Sequence, residues 1–210
     1  TVYGETNEEH DKQVKEDDVL LQESLNSRNA PYSQSKRMVE VLALAYCRQY
    51  GIDVVTVRPS YVYGYSLYHP NTAIYNFFEK AVCDEEIVLM NAGSPRRDYI
   101  YVDDVVRGIL ITGLFGITGE AYNVSSNSEK QNFAALDEIA EAILFNAAKI
   151  KENVTQRSIR CLEQITKHRA AGVYLDNSKL KSLGWQVETS LDEGLMRVLQ
   201  SYQQELAKKN

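Results

Sequence analysis

The sequence predicts an α/β fold built on a parallel sheet, and three observations carry that reading. Apolar residues recur at helical spacing through Met38, Val39, Val41, Leu42 and Tyr46. The β-branched run Ile52-Asp53-Val54-Val55-Thr56-Val57-Arg58-Pro59 follows at once and reads as a buried parallel strand stopped by proline. Beyond it, short strand and helix patterns mix to the end of the chain.

Each element has its own signal. Pro31 suits the first turn of the helix and Gly51 its C-cap. Residues 5–29 are acidic and polar, which predicts a surface connection carrying a short helix. Residues 72–83 predict an amphipathic helix with Ile74, Phe77, Phe78 and Val82 on its apolar face. Ile87-Val88-Leu89, residues 98–102 and residues 158–162 predict short strands. Residues 133–143 and 191–206 predict further helices, and residues 146–156 a disordered or variable stretch. Gly113-Leu114-Phe115-Gly116-Ile117-Thr118-Gly119 spells a glycine-rich phosphate motif. A helix before it and a strand after it reverse the strand–turn–helix order that phosphate binding requires, so it predicts a helix end and a turn.

Composition excludes several functions. A net charge of −6 leaves no basic stripe for nucleic acid. The apolar runs are too short to span a bilayer. Cys47, Cys83 and Cys161 lack metal-ligand spacing and predict reduced thiols of a cytoplasmic protein. His10, His69 and His168 are scattered, so no metal site is expected. Asn123-Val124-Ser125 and Asn153-Val154-Thr155 are glycosylation sequons by pattern and, without a secretory signal, predict no modification.

The chemistry concentrates at Tyr32 and Lys36. A phenol and an ammonium four residues apart share one face of a helix, one turn from each other. A fixed cation beside a phenol favours the phenolate, the form that accepts a proton. The spacing alone also fits an ordinary solvated helix face. Ser60-Tyr61-Val62-Tyr63-Gly64, just past the strand, falls where ligand-contacting loops lie in α/β sheets.

With these motifs in order, the chain resembles the extended short-chain dehydrogenase/reductases, the NAD-dependent nucleotide-sugar epimerase/dehydratase family. Val2-Tyr3-Gly4 is similar to the family's Val-Tyr-Gly after its fifth strand, and Tyr32 to Lys36 to its Tyr-x-x-x-Lys. Arg58-Pro59 through Val62-Tyr63-Gly64, then Gly93 through Arg97-Asp98 to Val102 and Asp104, resemble the following motifs. Ala121-Tyr122-Asn123-Val124 and Leu183-Gly184-Trp185 resemble the tail motifs. The resemblance covers essentially the whole chain.

It implies a remnant of a doubly wound, Rossmann-type parallel sheet plus a smaller α/β substrate-binding lobe. Residues 1–64 would be the C-terminal part of the NAD-binding domain, and residues 65–210 mainly the nucleotide-sugar lobe, with some segments returning to the sheet. The family's glycine-rich opening half has no counterpart here, so a C-terminal fragment, inactive alone, is expected. Tyr32 and Lys36 are the implied catalytic pair, and with Pro59 and Tyr61 they would touch the cofactor, NAD or NADP. Thr1, Tyr61, Arg97 and Arg169 are the implied substrate contacts. Thr1 stands where the dehydratases carry glutamate, which favours epimerisation, decarboxylation or reduction. Tyr61 stands where many members have asparagine and would narrow the sugar pocket. Arg97 either meets the substrate diphosphate or pairs with Asp98 or Asp103. Arg169 lies at the spacing of a phosphate or nucleoside contact, although alanine follows it in place of the family's proline. Asp103 and Asp104 read as helix N-terminal charges.

The implied activity is a UDP-glucose 4-epimerase-like reaction through a 4-keto intermediate, in a homodimer of the intact protein. A 4-keto-sugar reductase, a dehydratase or decarboxylase, and a non-catalytic scaffold are the alternatives.

Overall fold

A computed structural model of the chain describes residues 2–3, 10–20, 24–68, 70–90, 95–150, 158–162 and 171–209. Strands β1 (Lys12–Val14), β9 (Val173–Leu175), β5 (Arg97–Tyr101) and β3 (Tyr61–Tyr63) form one parallel sheet in that order. Strand β7 (Phe133–Ala134) adds to β5 antiparallel. Strand β2 (Thr56–Pro59) pairs in parallel with β6 (Ala121–Val124), and β4 (Ile87–Leu89) with β8 (Ile159–Cys161). The α/β class with a parallel sheet is therefore observed.

Strands β2 and β3 are separated by Ser60 alone, and they belong to different sheets. The Ser60 amide still donates to the Val124 carbonyl at 3.0 Å, the last bond of the first sheet. Pairing then transfers to β5 through Tyr61 opposite Tyr99. The chain thus opens a gap between two sheets at the carboxyl end of β2, where ligands collect in parallel sheets.

Two cores hold this arrangement. Helices α2 (Ala73–Val82), α4 (Leu136–Ile150) and α6 (Leu191–Lys209) pack together over β3, β4 and β5. Ile74, Phe77, Phe78, Ala81 and Val82 are buried at the spacing of one helical face. Ile139, Ile143 and Ala147 of α4 and Leu195, Val198, Leu199 and Tyr202 of α6 meet them. Gly194 is required where α6 crosses β3, because a Cβ there would overlap the buried Tyr63 phenol. The second core joins helix α3 (Val102–Phe115) to Tyr122, Val124, Leu180 of the short helix α5 (Ser178–Lys181), Trp185 and Val187. Asp104 ties it together: its carboxylate accepts the Glu188 and Thr189 amides, and its carbonyl accepts the Trp185 indole N–H at 3.0 Å. Asp104 is therefore more than the helix charge expected of it, while exposed Asp103 pairs with Arg197 at 3.5 Å.

Helix α1 (Ala30–Tyr50) has the predicted ends, with Pro31 in the first turn and Gly51 at φ +64° closing it onto the Cys47 carbonyl. Its apolar stripe behaves otherwise. Met38, Val39, Val41, Leu42 and Tyr46 are all at least half exposed, because no described element covers that face. The buried strand expected over residues 52–59 is likewise shortened to β2 and only half-buried, since its sheet has two strands and one face opens on the gap.

Three other expectations shift. Within residues 10–20 and 24–29 the polar connection carries β1 rather than a short helix, with Val14 fully buried. Phe133 and Ala134 are strand, so α4 starts at Leu136. It continues through the first part of the stretch expected to be variable, because Asn146 is buried and donates to the Asp192 carboxylate at 2.6 Å. Residues 151–157 lie outside the described residues. The glycine-rich decoy is a helix end and a turn, as predicted.

Candidate active site

The gap at the end of β2 is an open cleft of about 760 Å³. One wall is α1, which contributes Tyr32, Lys36, Val39 and Glu40. The opposite wall is the chain from Thr56 to Tyr61, continued by Arg97 and Asp98 of β5 and by Val173 and Leu175 of β9. Val2 and Tyr3 also line it.

Tyr32 and Lys36 fall on the cleft face of α1 because residues four apart on a helix project together. Lys36 Nζ lies 5.6 Å from the centre of the Tyr32 ring, and the tyrosine is 58% exposed. Among the described residues Lys36 makes no ion pair, so its charge is available to the phenol and to a ligand. Pro59 sits on the opposite wall, where β2 ends.

Tyr61 is held by its neighbours rather than standing free. Its ring meets Tyr99 edge-on with centroids 5.0 Å apart, and the Arg97 guanidinium lies 5.5 Å from its centre. Arg97 makes no ion pair among the described residues. Asp98 instead accepts the Ser126 hydroxyl, and Asp103 is engaged with Arg197. Neither carboxylate occupies the Arg97 fork. Exposed Arg96 pairs with Glu138 at 2.8 Å. Asp98 is 3% exposed, and burial pushes its carboxyl up to about 7, against the opposing Ser126 hydrogen bond. Thr1 and Arg169 lie outside the described residues.

A charged network that sequence patterning does not reveal lines the same cleft. Arg58 donates to both carboxylate oxygens of Glu40, at 3.0 and 2.7 Å. Its remaining amino group donates to the Tyr3 phenol at 3.0 Å and to the Glu16 carbonyl at 2.8 Å. Burial works against the Arg58 cation, but the Glu40 and Tyr3 hydrogen bonds outweigh it and hold the group above its ordinary value. Burial also raises the Tyr3 phenol, so it remains a donor, and it gives its proton to the Asn123 side-chain oxygen. Asn123 is fully buried and donates in turn to the Val14 and Asp176 carbonyls. One signal was present: Glu40 follows Lys36 by the same four residues that separate Lys36 from Tyr32.

A helix thus presents a phenol and an ammonium to a cleft beside a parallel strand end. Residues 1–125 match the NAD dependent epimerase/dehydratase family, and the chain belongs to that family. It is 30% identical over 203 residues to a trifunctional UDP-glucose 4,6-dehydratase/UDP-4-keto-6-deoxy-D-glucose 3,5-epimerase/UDP-4-keto-L-rhamnose-reductase of Arabidopsis thaliana, covering 97% of this chain and 28% of the relative. A UDP-glucuronate 4-epimerase of Thermodesulfobacterium geofontis is 29% identical over 173 residues, covering 81% of this chain and 49% of that protein. Among solved structures, a dTDP-glucose 4,6-dehydratase of Bacillus anthracis in complex with NAD superimposes with a TM-score of 0.74 at 25% identity, over 98% of this chain and 60% of that one. The chain thus spans well under two thirds of the length of these relatives.

Proposed function

We propose that the chain carries the acid/base half of an NAD-dependent nucleotide-sugar epimerase of the UDP-glucose 4-epimerase type. The observation that supports this reading best is the cleft that faces Tyr32 and Lys36 with Pro59, Tyr61 and an Arg97 that makes no ion pair among the described residues. Residues 1–64 are proposed as the end of the cofactor domain and residues 65–210 as mainly the sugar-nucleotide lobe, in a cytoplasmic homodimer.

The donor set fits the nicotinamide end of the cofactor. Lys36 offers an ammonium with no competing carboxylate among the described residues, and Pro59 offers a flat apolar surface at the strand end. The cofactor supplies reversible hydride acceptance when bound. Tyr32, as phenolate, accepts the proton of the sugar 4-hydroxyl as that carbon gives up hydride. Lys36 stabilises the phenolate by charge. Tyr32 then returns its proton to the oxygen of the 4-keto sugar when hydride comes back to the opposite face. Arg97 receives the diphosphate, for which its planar fork is suited. Arg169 and Thr1 remain proposed as further substrate contacts. A dehydratase reading is favoured by the names of two of the relatives, whereas threonine at position 1 favours epimerisation.

The test is Tyr32→Phe in the full-length protein, assayed with UDP-glucose, UDP-glucuronate and dTDP-glucose. Turnover on whichever sugar is accepted should fall at least ~100-fold, the scale of a lost general base, while nucleotide affinity persists. Unchanged turnover would eliminate the phenolate mechanism. Release of a 4-keto-6-deoxy product would replace epimerisation with dehydration.

A further inference from the structure

We propose that Glu40 and Arg58 are the positioning pair of this site, setting where α1 holds Tyr32 and Lys36 against the opposite wall; the inference rests on the catalytic reading of Tyr32 proposed above. Helix α1 is 21 residues long, yet its buried residues are Ala30 and Ser33, both in the first turn. Past that turn it faces the cleft on one side, carries exposed apolar side chains on another, and only half-buries Ala43, Leu44 and Cys47. These partial contacts alone fix its middle only loosely against the strand.

The Glu40–Arg58 fork does what packing does not. Tyr32, Lys36 and Glu40 occupy three successive turns of one face, so any slide or roll of the helix that moves Glu40 moves the phenol with it. Glu40 is gripped through two parallel N–H···O bonds, a geometry that constrains direction as well as distance. Both side chains are less than one-fifth exposed, which shields the pair from water and salt. Arg58 is itself anchored, since its other amino group is bound to Tyr3 and to the Glu16 carbonyl. It also precedes Pro59 directly. The pair thus links the proton-transfer helix to the strand end across the cleft.

The experiment compares Glu40→Gln, Arg58→Lys and the double variant with Tyr32→Phe in the full-length protein, using the sugar nucleotide it turns over. A glutamine keeps the length but not the charge of the acceptor, and a lysine keeps the cation but not the fork. Each single variant should lower kcat roughly 10-fold or more, the scale of a small misplacement of a reacting group. KM should stay within about three-fold and the double variant should be no worse than the poorer single, as coupled groups require. The ascending limb of the pH–kcat profile should not move, because Lys36 stays beside Tyr32.

Undiminished kcat with a lowered melting temperature would make the pair purely structural and overturn the proposal. So would multiplicative losses in the double variant, or a displaced pH limb, which would mean the pair acts on proton affinity. If Glu40→Gln does not fold, Arg58→Lys decides on the same criteria; failure of both to fold would also overturn it. Full turnover by Tyr32→Phe would instead remove the underlying reading, whatever the pair does.

Discussion

Arg97 and Asp98 are adjacent and opposite in charge, yet the strand separates their tasks. Both line the cleft wall, but the Arg97 side chain is exposed there while the Asp98 carboxylate is buried. Arg97→Ala should raise KM for a nucleoside diphosphate sugar at least ~10-fold with a smaller effect on kcat, since the proposed ground-state diphosphate contact is removed; steady-state kinetics measure the split. Asp98 makes a different prediction. Its folded-state value, about 7, lies above the ordinary carboxyl value of 3.8. Between those two values the native chain holds a proton that the unfolded chain has released. Stability therefore falls as pH rises through that window and levels off above it. Asp98→Asn should flatten this slope, which is at most roughly 1.4 kcal/mol per pH unit for one proton. Urea titrations at pH 5 and pH 8 would show wild type losing more than the variant. A parallel pH dependence in both would refute the assignment.

Helix α6 shows how much an element depends on one missing atom. Gly194 lets it approach β3 at the Tyr63 phenol, and Tyr63 is fully buried. Gly194→Ala should destabilise the fold by roughly 1–3 kcal/mol, the cost of overpacking a rigid core, seen as a lower denaturant midpoint with an unchanged slope. Elements were legible in the sequence where burial imposes a long period. Helices α2 and α6 bury one clean face each, and their bounds were read to within a few residues. Strands β1, β7 and β9 were not legible: β1 lies in a polar, acidic stretch, Phe133-Ala134 reads as the start of the helix that follows, and β9 is a three-residue run with no flanking signal. They are strands because β5 and its neighbours offer a pairing edge. Helix α1 was legible as a helix with its ends, but spacing cannot tell a packed face from an uncovered one. At the site, Tyr32, Lys36, Pro59, Tyr61 and Arg97 were legible from their motifs, and the structure brings all five to one cleft. Arg58, Glu40 and Tyr3 were missed as a network because its partners are 18 and 55 residues apart.

At the scale of the molecule, the groups proposed for proton transfer line one cleft, while these 210 residues spell no glycine-rich strand–turn–helix for a pyrophosphate. Among the described residues no helix is long and apolar enough to cross a membrane, and no cluster of metal-binding side chains exists. Calorimetry on these 210 residues alone is accordingly expected to detect no micromolar NAD binding. Micromolar affinity would mean that the nicotinamide end suffices to hold the cofactor.

The enclosure of Asn123 has one more consequence. It is the acceptor of a sequon, yet its amide nitrogen is committed to two backbone carbonyls and the residue has no exposed surface. An oligosaccharide can be attached there only before the chain folds, and its presence would prevent closure of the strand around it. In a glycosylating expression host, sugar at Asn123 would therefore mark molecules that failed to fold in time.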